Sequence, residues 1–107
     1  MQRFGQIIRI KPEKEAYYRK LHAEPWKGVL DKITECNIRN YSIFLKDGFL
    51  FAYFEYIGDD FGADMKKMAE DPITQKWWKE TDPCQEPIET ALSGERWVNM
   101  ESVFYHS

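Results

Sequence analysis

Between Ile38 and Ile57 two runs of apolar and aromatic residues meet at Asp47-Gly48. Asp-Gly between such runs is a strong signal for a two-residue turn, because both positions tolerate the positive φ that a tight hairpin needs. The sequence therefore predicts a hairpin, with Ile38 to Leu45 returning as Phe49 to Ile57. A tight turn pairs Leu45 with Leu50, Ile43 with Ala52 and Tyr41 with Phe54. The opposite face then carries Phe44, Phe51 and Tyr53. Strand side chains alternate between faces, so a hairpin apolar on both must be covered on both. Helices of the same chain can cover only one face of a four-stranded antiparallel sheet. The other asks for a partner, and a second copy of the chain is the economical one.

The remaining elements follow from periodicity and punctuation. Phe4 to Ile10 reads as a strand. Pro12 suits a first helical position, with Glu13 and Glu15 near the positive end of the helix dipole. On that helix Tyr17 and Leu21 are expected on the apolar stripe, with Tyr18 and His22 about 100° round, at its edge. Pro25 disfavours helix at Glu24. Trp26, Val29, Leu30 and Ile33 then repeat with helical spacing, although Gly28 weakens that helix by up to about 1 kcal/mol relative to alanine. Asp59 or Asp60 can cap a third helix, whose Phe61, Met65, Met68 and Ala69 share a face. Asp71-Pro72 opens a fourth, which carries Trp77 and Trp78 and ends before Pro83. Residues 83–94 read as loop and Trp97 to Tyr105 as a last strand. The order β-α-α-β-β-α-α-β is a ferredoxin-like α+β pattern.

A chain of 107 residues is expected to form one domain, 1–107, burying roughly 60–70% of its unfolded surface. Its aromatic content, 16%, exceeds what one small core can use, so part belongs in a pocket or an intersubunit surface. With 15 basic against 18 acidic residues and no basic stripe, nucleic acid is not an expected partner. No run approaches membrane-spanning length, and the opening residues lack a signal-peptide pattern. Cys36 and Cys84 are too few for a disulfide framework or a zinc site. Two inert thiols in a reducing cytoplasm are the simplest reading.

Tyr18 and His22, four residues apart on a helix, should project side by side. An imidazole exchanges protons near neutral pH, and an edge position lets it face a cleft. The plainer reading is a partly buried histidine bonded to a backbone carbonyl. No serine or cysteine pairs with it to support a nucleophilic triad. Trp77 and Trp78, adjacent on a helix, point about 100° apart. One would then lie in the core and one over the domain edge, or one or both would wall a sugar's C–H face. Tyr41 is either a core tyrosine or a hydroxyl offered to a substrate oxygen. Glu55 and Glu101 fall on expected strands, but nothing marks them further. No His, Asp and Glu cluster has metal-ligand spacing, so no bound metal is expected.

Taken in order, Glu15-x-x-Tyr18-x-x-x-His22, Pro25-Trp26, Asn40-Tyr41-Ser42-Ile43, Trp77-Trp78 and Val103-Phe104-Tyr105 make the chain resemble the L-rhamnose mutarotase family over nearly its whole length. The resemblance implies homodimers of ferredoxin-like subunits, a dimeric α+β barrel. It also implies a cofactor-free interconversion of the α and β anomers of a 6-deoxyhexose. On this resemblance His22 is the proton donor, and Tyr18, Tyr41, Trp77 and Trp78 contact the sugar. Lys27-Gly28, where many relatives have a second proline, and the Pro83–Pro87 stretch depart from the family pattern and bear on which sugar is preferred. The expected chemistry is ring opening with His22 as acid, and closing with His22 as base. The complementary group would be a carboxylate or a water. Two other classes fit the same features: a non-catalytic sugar or small-ligand binder, and an oxygenase-like or haem-handling dimeric barrel with His22 as axial ligand.

Overall fold

The computed structural model describes all 107 residues, Met1–Ser107. Three long strands carry the sheet: β1 (Gln2–Ile10), β2 (Ile38–Lys46) and β3 (Phe49–Tyr56). They lie in the order β2-β3-β1, all antiparallel. The fourth position, on the free side of β1, is filled by two short pieces, β4 (Gln85–Glu86) and β5 (Val98–Asn99). This is the ferredoxin-like order, with the sheet curled over one layer of helices.

The hairpin forms as its turn chemistry requires. Asp47 and Gly48 hold φ of 52° and 79°, and Leu45 faces Leu50 and Ile43 faces Ala52. Tyr41, however, does not pair with Phe54. The register slips between Arg39 and Ser42, which leaves a bulge at Asn40-Tyr41, and Asn40 adopts φ 52° there. Asparagine tolerates that left-handed conformation better than most residues. The extra residue shifts the alternation by one, so Ile38 and Tyr41 can both face the helices. The Tyr41 and Phe54 rings still meet, 5.6 Å between centroids.

Four helices cover this inner face: α1 (Glu15–Ala23), α2 (Lys27–Glu35), α3 (Phe61–Ala69) and α4 (Pro72–Thr81). Pro12–Lys14 forms a single tight turn leading into α1. Asp60 caps α3 by accepting from the Ala63 N–H at 3.0 Å, and Asp71 caps α4 by accepting from the Thr74 N–H at 2.9 Å. The rotation of α1 differs from the expectation: Tyr18 is buried at 4% exposure, whereas Tyr17 is 42% exposed. The Tyr17 hydroxyl donates to Glu80 on α4, so a polar partner at the helix edge holds it outside. Leu30 is likewise exposed, which narrows the buried stripe of α2 to Val29 and its neighbours.

Gly28 does more than weaken α2. A Cβ there would lie 2.8 Å from Cδ1 of Ile73, so the missing side chain lets α2 and α4 approach closely. The stretch 83–94 is not all loop. A turn at Asp82–Cys84 leads into β4, where Gln85 pairs with Ile10. The last strand is shorter than expected, ending after Asn99 with one further bond from the Met100 N–H to the Gly5 carbonyl. Continuing that register would set the Glu101 carboxylate beside the stacked rings of Phe4, Phe54 and Phe61. The chain instead leaves the edge, Glu101 is exposed, and Tyr105 lies under the Arg3 guanidinium at 3.6 Å.

The core is divided. One cluster gathers Ile8, Ile10, Tyr18, Leu50 and Cys84, and a second gathers Ile38, Phe54 and Tyr56 against Phe61, Met65 and Met68. On the outer face of the β2–β3 hairpin Phe44 stands 64% exposed.

Candidate active site

Between the two core clusters, under the helices, lies a cleft of about 470 Å³. This falls within the roughly 300–1,000 Å³ of small-molecule sites. Ile43 and Phe54 on the sheet form its floor, Val29 and Ile33 on α2 and Met65 and Met68 on α3 form apolar walls, and Gln85, Arg96 and Asp82 gather at a polar end. All five residues singled out from the sequence, Tyr18, His22, Tyr41, Trp77 and Trp78, line it.

His22 owes its place to α1. One turn earlier, the Tyr18 carbonyl lies 2.8 Å from His22 Nδ1, and the Tyr18 ring stacks on the imidazole at 4.1 Å between centroids. A carbonyl only accepts, so Nδ1 carries a proton and the neutral ring keeps its lone pair on Nε2. Nε2 is bonded to no group of the chain. Burial lowers the His22 pKa, and the bond to the Tyr18 carbonyl opposes this only in part. The imidazole is therefore neutral at neutral pH. The expected carbonyl bond and the expected cleft position hold together, since one nitrogen serves each.

Trp77 braces the imidazole from α4. Its ring meets His22 edge-on at 5.2 Å and Trp26 edge-on at 5.1 Å, and it is 7% exposed. Trp78 points away from it and forms the rim, 37% exposed. The two indoles thus differ as adjacent helical residues must, yet the cleft is wide enough for both to reach it. Tyr41 is partly exposed yet lines the cleft, and burial of its hydroxyl raises its pKa. Burial raises the Tyr18 pKa as well, so it stays a neutral phenol that can exchange hydrogen bonds but not its charge state.

The chain matches the family model for L-rhamnose mutarotase over residues 3–106. It belongs to the L-rhamnose mutarotase family. An L-rhamnose mutarotase of Oceanobacillus iheyensis is 35% identical over 101 residues, covering 87% of this chain and 94% of its own. One from Listeria monocytogenes is 35% identical over 109 residues, covering 98% of each chain. The fold agrees with the crystal structure of an L-rhamnose mutarotase from Formosa agariphila, with a TM-score of 0.76, 20% identity and complete coverage of both chains. Within this mutarotase-family fold, Gln85, Arg96, Asp82, Trp97 and Gln6 are cleft residues that sequence reasoning does not single out. They lie outside any periodic pattern, and no local signal in the sequence marks them. Glu55 lies away from the cleft, accepting from the Tyr53 hydroxyl and the Asn40 amide on the outer face. No helix is long and apolar enough to cross a membrane.

Proposed function

We propose that the protein is a sugar mutarotase that interconverts the α and β anomers of L-rhamnose or a related 6-deoxyhexose. It would act as a homodimer in the cytoplasm. The observation that carries this reading is the unbonded Nε2 of a neutral His22 facing an aromatic cleft of monosaccharide size. Family membership supports the same reaction.

Anomerisation opens the pyranose ring, rotates the aldehyde and closes the ring again. Opening removes a proton from the anomeric hydroxyl and delivers one to the ring oxygen. The neutral imidazole is equipped for the first of these transfers, in which Nε2 takes the anomeric proton in opening and returns it in closing. Where the sequence reading has His22 act first as acid, we place its base step in opening, because burial disfavours the imidazolium. A water or a cleft hydroxyl gives the ring oxygen its proton. Positioned acid-base catalysis is typically worth about 10²–10⁴-fold, sufficient for a reaction that already proceeds in water. Trp77, Trp78 and the apolar walls offer contact to the C–H face and C6 methyl of a deoxy sugar, and Tyr18 and Tyr41 offer hydroxyls. Methyl recognition discriminates by only about 1–3 kcal/mol, so the hydroxyls must read stereochemistry. The homodimer is supported by the apolar outer sheet, and the reducing compartment by two buried free thiols.

The test is NMR saturation transfer between anomeric protons for L-rhamnose, L-fucose and common hexoses, with and without the protein. Faster exchange for a 6-deoxyhexose supports the reading. Tight equilibrium binding of L-rhamnose with no faster exchange would make the protein a sugar binder instead.

A further inference from the structure

The polar end of the cleft holds a chain of three side chains whose roles can be worked out donor by donor. Arg96, in the stretch leading into β5, directs Nη2 to the Asp82 carbonyl at 2.9 Å and to Oε1 of Gln85 at 3.3 Å. A guanidinium only donates, so the amide atom facing it must be the oxygen. That fixes the other end of the Gln85 amide. Nε2 faces Tyr18 and donates to its hydroxyl across 3.3 Å, with Gln85 itself only 6% exposed. The phenolic oxygen is thereby engaged as an acceptor by a group with no lone pair to offer in return. Tyr18's own O–H makes no other bond within the chain, and its ring lines the cleft beside His22.

We infer that Arg96 and Gln85 are positioning residues that commit the Tyr18 hydroxyl to donate into the cleft, so that the site selects a sugar oxygen with a free lone pair there. The inference rests on the mutarotase reading for its substrate. Neither residue needs to touch the sugar. Arg96 sets which way the Gln85 amide faces, Gln85 sets which way the phenol donates, and the phenol meets the ligand. The relay is therefore a place where sugar preference can be tuned without altering His22.

The full-length protein tests this through a cycle of wild type, Gln85→Leu, Tyr18→Phe and the double variant. L-rhamnose affinity is read from quenching of indole fluorescence, and anomer exchange from saturation transfer. Gln85→Leu alone should weaken binding about 3- to 10-fold, the worth of one hydrogen bond, and should cost nothing further once Tyr18→Phe is present. Arg96→Met should act in the same direction, and Arg96→Lys, which keeps a donor, should recover part of the loss. Equal losses from Gln85→Leu with and without the Tyr18 hydroxyl would overturn the relay. Should Gln85→Leu fold poorly, Arg96→Met carries the same cycle, since its side chain is 40% exposed. Coupled affinities without wild-type exchange would leave the relay standing and remove the mutarotase reading. Exchange with additive losses would do the reverse.

Discussion

His22 Nδ1 donates to the Tyr18 carbonyl one helical turn earlier, across 2.8 Å, and this single bond decides which nitrogen is free for chemistry. It also gives the pH dependence a definite sign. Burial sets the folded pKa of His22 below its ordinary value near 6.5. Anomer exchange should therefore be level above pH 6.5 and fall as pH drops through the folded pKa, by about tenfold per unit once the imidazolium dominates. Stability should follow the same direction. A depressed histidine pKa contributes stability that is present above about 6.5 and lost as pH falls through the folded pKa. His22→Ala should remove this exchange profile and lower the rate about 10²–10⁴-fold while circular dichroism stays native. An unchanged rate or an unchanged profile would take His22 out of the reaction.

The hairpin and the caps are legible in the sequence because their causes are local. Asp47-Gly48 fixes the turn, and Asp60 and Asp71-Pro72 fix two helix starts, whatever the rest of the chain does. The roles of Tyr17 and Tyr18 are not legible, because helix rotation is set by partners distant in sequence: Glu80 holds one outside and Gln85 meets the other inside. The Asn40 bulge is hidden for a related reason, since a one-residue slip leaves no mark in an apolar pattern. The five site residues stand out through the family resemblance, and their convergence on one cleft is a product of tertiary packing. Gln85 and Arg96 act through single hydrogen bonds in irregular chain, which periodicity cannot detect.

The adjacent tryptophans should separate cleanly under mutation. Trp77 packs between His22 and Trp26, and its removal opens the core. Trp77→Ala should cost roughly 3 kcal/mol in urea unfolding, the lower end of the range for large aromatics, because one face already borders the cleft. Trp78 stands at the rim, and Trp78→Ala should change stability by less than about 1 kcal/mol while weakening L-rhamnose binding. Equal stability losses would contradict the division of roles.

Gly28 offers a test of packing against propensity. Alanine is intrinsically better than glycine in a helix by about 1 kcal/mol, yet its Cβ would sit 2.8 Å from Cδ1 and 3.1 Å from Cγ2 of Ile73. Ile73 is β-branched and held near one χ1 in its helix, so its Cγ2 gives way poorly and Gly28→Ala alone should lower the melting temperature. In an Ile73→Ala background only the Cβ remains nearby, at 3.7 Å, and the same substitution should then raise it. A rise in both backgrounds would show that α2 and α4 separate freely.

The outer sheet face supplies the last test. Phe44 is 64% exposed, and Phe51 and Tyr53, both half-buried, share its face of the sheet. Water on such a surface is costly, and a flat apolar hairpin also invites uncontrolled association, so a specific partner resolves both problems. Sedimentation equilibrium should give twice the 12.8 kDa chain mass for the wild type. Phe44→Lys sets a charge against itself across a two-fold interface and should shift the mass to the monomer. The cleft lies on the opposite face of the sheet, so the monomeric variant should retain sugar binding if it stays folded. A wild type that sediments as a monomer at micromolar concentration would leave the outer face needing another cover.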